Sequence, residues 1–305
     1  MLILQKSRIK HRKNQKKRLN NRSILNNFLK RTITGACIVI FCLCGFWLHP
    51  ISFFISGAII LAGAQYEYYL LIRNSDAKPK KIFGIITSLS AYVLSTLIAS
   101  ELLDARYIAI LILFLLTAMI LELYGKEEKP FDSLAHTFFP VLYVGLPLCL
   151  FPFAAFSHTG ISTLLPYNCG SFSPGIIIGF FALIWANDTG AYITGMTFGS
   201  HKLFERISPK KTWEGFAGGV IFAAATGWLL SGWLGVVSDI QWVVIAFIVS
   251  IIGTYGDLVE SMLKRSVGAK DSGNIMPGHG GFLDRFDSVL LAFPVVYLFI
   301  LFFVH

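Results

Sequence analysis

The chain has 305 residues, of which 55% are apolar and 14% charged, with a mean hydropathy of +0.66 and a formal charge of +9. A water-soluble domain carries about 25% charged side chains, so a globular fold in water is excluded and hydrocarbon is the expected solvent. Five scattered cysteines (Cys37, Cys42, Cys44, Cys149 and Cys169) have no paired spacing, which argues against a disulfide framework or a zinc cluster.

A helix needs about 20 apolar residues to cross a hydrocarbon layer about 30 Å thick. Nine such spans are predicted, over 33–48, 51–72, 82–100, 107–124, 137–156, 174–195, 216–234, 242–263 and 288–304. The expected fold is therefore an all-α, multi-pass integral membrane protein. The first span is short and meets the second at His49-Pro50, as a tight hairpin would. Three segments follow: a basic tail over 1–32, N-terminal membrane helices over 33–156, and a C-terminal membrane region over 157–305. No cleavable signal peptide is expected, because the first span follows a long basic tail and lacks a small-residue cleavage site.

With nine spans, 25 of the 26 Lys and Arg residues fall on one side, and only Arg106 falls on the other. The positive-inside rule then places the N-terminus in the cytoplasm and His305 outside. The tail holds eleven Lys and Arg and no acid. It reads as a solvated, topology-setting segment, or as one drawn to anionic lipid at about 1 kcal/mol per basic residue. It has no nucleic-acid motif, so no nucleic-acid partner is expected.

The second half places acids within predicted spans: Asp188 in the sixth, Asp257 and Glu260 in the eighth. A charge in lipid is expensive and marks a functional site by default. Alone, Asp188 could equally be a polar anchor between helices. The first half offers only Glu67 and Glu122 near cytoplasmic span ends, where a structural role or simple exposure weighs as much as a functional one.

The segment 261–287 joins the eighth and ninth spans and is dense in Gly, Lys, Arg and Asp. Glycines let backbone N–H groups approach a ligand closely, and Lys and Arg neutralise phosphate. Asp284 and Asp287 are three apart and share a helix face, as do Asp257 and Glu260. Carboxylates facing a phosphate site suit Mg²⁺, which takes one or two of them plus phosphate oxygens and water. Glu260 and Asp287 could instead pair with Lys264 or Arg285. Arg285 reads first as an orienter of carboxylates, and His279 as a hydrogen-bonded loop residue. Upstream, Ser208-Pro209-Lys210-Lys211 precedes the seventh span, so the two lysines stand near a helix start, where anions bind; the plainer reading makes them topology charges.

These motifs carry a resemblance. Ser261, Lys264-Arg265, Lys270-Asp271, Gly273, Pro277-Gly278-His279-Gly280-Gly281 and Asp284-Arg285-Phe286-Asp287 resemble the signature of the phosphatidate cytidylyltransferase (CDP-diacylglycerol synthase) family. Asp188-Thr189-Gly190-Ala191-Tyr192, Ser208-Pro209-Lys210-Lys211-Thr212-Trp213-Glu214-Gly215 and Gly256-Asp257-Leu258-Val259-Glu260-Ser261 are similar to the same family. The resemblance spans roughly 180–288 and implies transfer of a cytidylyl group from CTP to phosphatidate, giving CDP-diacylglycerol and pyrophosphate. It implies catalytic roles for Asp257, Asp284, Lys264, Arg265 and Lys270. Ser208, Lys210, Lys211, Ser261, His279, Gly280, Gly281 and Arg285 become substrate-binding candidates. Asp257 and Asp284 become joint Mg²⁺ ligands, with Asp188 and Asp287 as further candidates and a second metal ion left open.

CTP, phosphatidate and membrane lipids are the expected partners; a homodimer is left open. The expected location is a bacterial inner (cytoplasmic) membrane. An ion-coupled transporter is the rival from another class, against which stand the lack of repeat symmetry and the crowding of motifs on one face. A CDP-alcohol phosphotransferase would need an Asp-Gly-x-x-Ala-Arg pattern that this sequence lacks.

Overall fold

The computed structural model describes residues 33–73, 75–125, 127–156, 172–269, 271–273 and 280–304. The basic tail, Lys126, Cys169, Lys270, His279 and His305 lie outside the described residues. The described helices are α1 (Ile33–Trp47), α2 (Pro50–Leu71), α3 (Lys81–Ala99) and α4 (Ile110–Leu123, entered through a 3₁₀ turn at Ala105–Ala109). They continue with α5 (Pro130–Ala155), α6 (Gly175–Phe198), α7 (Trp213–Leu234), α8 (Asp239–Ser266) and α9 (Leu283–Phe303). Seven of these, α3 to α9, are long and apolar enough to cross a membrane. α1 is shorter, and α2 carries Gln65, Tyr66, Glu67, Tyr68 and Tyr69 in its last two turns.

The all-α membrane expectation holds, with one short element added to it. β1 (Lys202–Phe204) and β2 (Ser208–Thr212) form an antiparallel hairpin between α6 and α7. Lys210 and Lys211 therefore project from a strand, and α7 begins only at Trp213, capped by the Thr212 hydroxyl on the Gly215 N–H at 3.2 Å. The helix ends also differ. α6 and α8 each run three residues past their predicted inner ends. Polar residues there read as the edge of the membrane, but Thr194 and Thr197 of α6 bond carbonyls of their own helix and Glu260 and Lys264 of α8 pair with each other, so the helices continue through them.

α5 begins at Pro130, seven residues before its predicted start, and is interrupted by Pro140, Pro147 and Pro152. Pro147 has no N–H to continue the ladder, and just before it Leu146 reaches back five residues to the Val141 carbonyl, a π turn. In lipid no water relieves the freed carbonyls, and α2 supplies the donors. Gln65 Nε2 donates to Pro140 O at 2.9 Å, and the Tyr69 hydroxyl to Thr137 O at 2.8 Å. The polar end of α2 is thus an internal surface, with Gln65, Glu67, Tyr68 and Tyr69 all buried.

Between helices in lipid, contact packing and polar bonds replace the hydrophobic drive. An aromatic cluster does this here. Phe46 stacks on Phe181 at 5.4 Å, Phe151 meets Phe293 at 4.2 Å, and Phe180 meets Phe293 edge-on at 5.1 Å. Those rings come from α1, α5, α6 and α9, so the two halves of the chain share one core. At one end of the bundle, Lys129 pairs with Asp76 at 2.7 Å, Lys78 with Glu127 at 3.3 Å, and Lys80 with Glu122. The second-to-third and fourth-to-fifth connections therefore meet. Glu122 is 7% exposed and Glu67 0%, so of the open readings simple exposure falls away for both: each has partners inside.

Candidate active site

α8 and α9 touch closely at Gly256, where an added Cβ would stand 2.6 Å from the Asp287 carbonyl oxygen and 3.0 Å from Ser288 Cα. Only a missing side chain permits that approach, and it brings Asp257 of α8 beside Asp287 of α9. α6 packs against α7 and α8 and adds Asp188. The carboxylates of Asp188 and Asp287 both lie within electrostatic range of Asp257 and of Lys211, and Arg285 lies within range of Asp188. Lys211 reaches in from β2 and pairs with Asp257 at 2.7 Å, while Ser261 Oγ donates to the other Asp257 oxygen at 3.2 Å.

These groups border a cavity of about 450 Å³ whose lining includes Asp188, Lys210, Lys211, Thr254, Asp257 and Ser288. Tyr192, Met196 and Phe216 form its apolar side, and Tyr192 and Met196 are exposed. One wall therefore attracts ions and the other is greasy.

A second charged group lies apart from this lining. Lys264 pairs with Asp284 at 2.6 Å and also with Glu260 one helical turn back. The other Asp284 oxygen accepts from Ser272 N at 3.0 Å, Ser272 Oγ at 2.9 Å and Gly281 N at 2.9 Å. Gly280 makes this wrap possible with φ of +82°, a conformation L side chains rarely adopt. Glu67 of α2 closes the group, accepting from Leu283 N at 2.9 Å, with Ser272 Oγ 3.2 Å from the same oxygen.

The sequence pattern of the Cytidylyltransferase family matches residues 29–303, nearly the whole of these helices. The chain belongs to the cytidylyltransferase family. It is 34% identical over 231 residues to a phosphatidate cytidylyltransferase of Staphylococcus epidermidis, covering 70% of this chain and 89% of that one. It is 40% identical over 193 residues to the phosphatidate cytidylyltransferase of Bacillus subtilis, covering 62% of this chain and 64% of that one. A Staphylococcus saprophyticus relative of the same description is 36% identical over 232 residues.

Within this cytidylyltransferase the structure sorts the predicted residues. It brings together Asp188, Asp257, Asp287, Lys210, Lys211 and Ser261. Asp284 and Lys264 make their hydrogen bonds in the second group, which adjoins the first through Glu260, within electrostatic range of Asp287. Ser208 sits opposite Phe204 in the hairpin and does not line the cavity. Arg265 is exposed and donates to Ala269 O at 3.2 Å, closing the end of α8. Arg285 is exposed, and Gly280 and Gly281 shape the turn around Asp284.

Among the described residues no three His, Cys, Asp or Glu side chains could by themselves hold a metal ion. The donor set nevertheless fits Mg²⁺. Asp188 and Asp257 line the cavity and Asp287 lies within electrostatic range of both, and a hard cation takes one or two such carboxylates and completes its shell with phosphate and water.

Three features were missed from sequence. Glu67 enters the second group; its only signal was an acid inside a span. Glu214 accepts the backbone N–H groups of Ser200 and His201 at 3.1 and 3.2 Å and pairs with the His201 ring at 2.6 Å, which braces the hairpin. Tyr143, at the π turn of α5, presents a buried hydroxyl within electrostatic range of Asp257, Glu260 and Asp287. No spacing in the sequence announces either of the last two.

Proposed function

We infer that this chain catalyses transfer of the cytidylyl group of CTP to phosphatidate, releasing pyrophosphate and leaving CDP-diacylglycerol in the membrane. The observation that carries the reading is the cavity with one ionic wall and one apolar, exposed wall. Both substrates are polyanions, and one has acyl chains that must stay in lipid. Lys210 and Lys211 offer positive charge to phosphate groups as point cations, and Tyr192, Met196 and Phe216 offer surface to a lipid.

A phosphatidate oxygen attacks the α-phosphorus of CTP, and the bond from that phosphorus to the bridging oxygen of the β-phosphate breaks, so pyrophosphate leaves with the bond electrons. The nucleophile needs no strong base, since the second ionisation of a phosphate monoester falls near pH 6. What the chain must do is align the two phosphates and offset their repulsion. Asp188, Asp257 and Asp287 would hold Mg²⁺ on the cavity wall, with Asp284 behind them. When bound, the ion would neutralise charge at the transferring phosphoryl group and the leaving pyrophosphate. Lys211, paired with Asp257 in the structure, is placed to exchange that partner for a substrate phosphate. Full-length protein purified in detergent, given labelled CTP and phosphatidate, should form CDP-diacylglycerol and pyrophosphate in equal amounts. Absence of product with Mg²⁺ and both substrates present would sink the reading.

We also propose nine spans in a bacterial inner membrane, with the tail and the site in the cytoplasm and residue 305 outside. The charge alternation supports this, and so do the ion pairs that join the 72–80 and 124–129 connections at one end of the bundle. In a variant lacking the native cysteines, a cysteine at residue 305 should react with an impermeant maleimide in intact cells. A cysteine replacing Lys202 in the hairpin should react only after permeabilisation. Labelling of both from the same side would rule out an odd number of spans between them and the nine-span topology with it.

A further inference from the structure

We propose that Glu67, far from the signature in sequence, is a positioning residue for the transfer reaction, fastening the start of α9, which carries Asp284, to the N-terminal half of the bundle. The proposal rests on the cytidylyl-transfer reading above. Glu67 is fully buried near the last turn of α2, 0% exposed. Its Oε2 accepts the Leu283 N–H at 2.9 Å, across a separation of 216 residues. Leu283 is the first residue of α9, and the residue before it, Phe282, supplies no side-chain cap. The open N–H groups at that helix start are therefore met by a carboxylate from another helix, whose negative charge also suits the positive end of the helix dipole.

The same oxygen takes a bond from Ser272 Oγ at 3.2 Å, and that hydroxyl also stands 2.9 Å from Asp284 Oδ2. A hydroxyl has one proton to give, so Ser272 links the two carboxylates and its orientation depends on both. Asp284 takes its other bonds from Lys264 Nζ, Ser272 N and Gly281 N. Removing Glu67 frees Leu283 N and one partner of Ser272 together, and Asp284 loses the frame that aims it. Groups that orient a ligand from behind change metal affinity or activity by about 10–100-fold when lost.

The test uses full-length protein in detergent with Glu67→Gln, Glu67→Asp and Glu67→Ala. Turnover of labelled CTP is measured against Mg²⁺ concentration, with hydrogen–deuterium exchange followed over residues 271–286. Gln keeps an acceptor oxygen and the approximate shape, so it should insert normally while kcat falls about 10-fold, and Ala should fall about 100-fold. Half-saturating Mg²⁺ should rise in both, the KM for phosphatidate should hold, and Asp should recover part of the loss. Exchange around Leu283 should quicken in the Gln variant while α6 stays protected. A Glu67→Gln protein with native kcat, native Mg²⁺ dependence and unchanged exchange overturns the proposal. So does one that folds in lower yield but turns over normally per folded molecule, since that marks a purely structural cap. If the wild-type protein itself fails to use CTP, the functional reading falls, and unchanged exchange in Glu67→Gln overturns the Glu67–loop link independently.

Discussion

Replacing Asp257 by Asn should cost about 10³-fold in turnover while leaving insertion and purification intact. A metal ion's charge stabilisation amounts to several kcal/mol, and each 1.36 kcal/mol is about tenfold in rate. The side chain keeps its size and can still accept from Ser261, but loses the charge that draws a hard cation. Folding should tolerate the change, because Asp188 and Asp287 lie within range and removing one of three neighbouring negative charges relieves repulsion. Lys211 then loses its 2.7 Å partner and is left facing the remaining acids. Asp284→Asn should also abolish turnover, but with a second signature: an amide nitrogen would face donors on either side, Lys264 on one oxygen and Ser272 and Gly281 on the other. Exchange in the loop should therefore rise for Asp284→Asn and stay native for Asp257→Asn. Turnover measured against Mg²⁺ decides it: near-native activity and an unchanged Mg²⁺ requirement in Asp257→Asn would make that acid structural.

Lys264→Met should be the most destabilising single change in the site. The Lys264 side chain is 13% exposed and pairs with two acids, Glu260 at 0% and Asp284 at 11%. Taking away one member of a buried pair typically costs about 3–5 kcal/mol, because the remaining charge stays out of water without compensation. Here two carboxylates lose their partner at once. The midpoint of thermal unfolding in detergent, followed by tryptophan fluorescence, should drop clearly, and turnover with it. Adding Glu260→Gln should recover much of the stability, since the amide removes the most buried uncompensated charge. Recovered stability without recovered turnover would assign Lys264 a further role toward Asp284 or the substrate. No loss of stability in the single variant would show that these acids do not depend on Lys264.

The membrane character of the chain and the position of its spans were legible because both depend on local composition. A run of apolar residues long enough for the bilayer is recognisable without knowing what it packs against, and each predicted span has a helix at its place. The residue types of the site were legible for a related reason: a phosphate chemistry needs acids, cations and glycines near one another, and the 256–287 stretch crowds them between two spans. The inner ends of α6 and α8 misled, since polar side chains mark a membrane boundary only when they face water. Asp257, Glu260 and Lys264 face partners instead, and the helix runs on to Ser266.

By itself the sequence determined the solvent and the helices and crowded the candidate acids, cations and glycines into a few segments, all of which follows from residues close together along the chain. The tertiary structure alone decided how that inventory is divided. Three-residue spacing puts Asp284 and Asp287 on one helix face, yet Gly256 lets α9 approach so closely that Asp287 joins Asp257 and Lys211. The Gly280 turn meanwhile folds Ser272 and Gly281 over Asp284. Lys211 and Asp257 meet across 46 positions, and Glu67 and Leu283 across 216. Such pairings depend on which helices touch and at what height, and no local propensity encodes that. Glu67 shows the limit most clearly: in sequence it is one acid near the end of a span, and only the packing of α2 against the start of α9 makes it the cap that holds the loop.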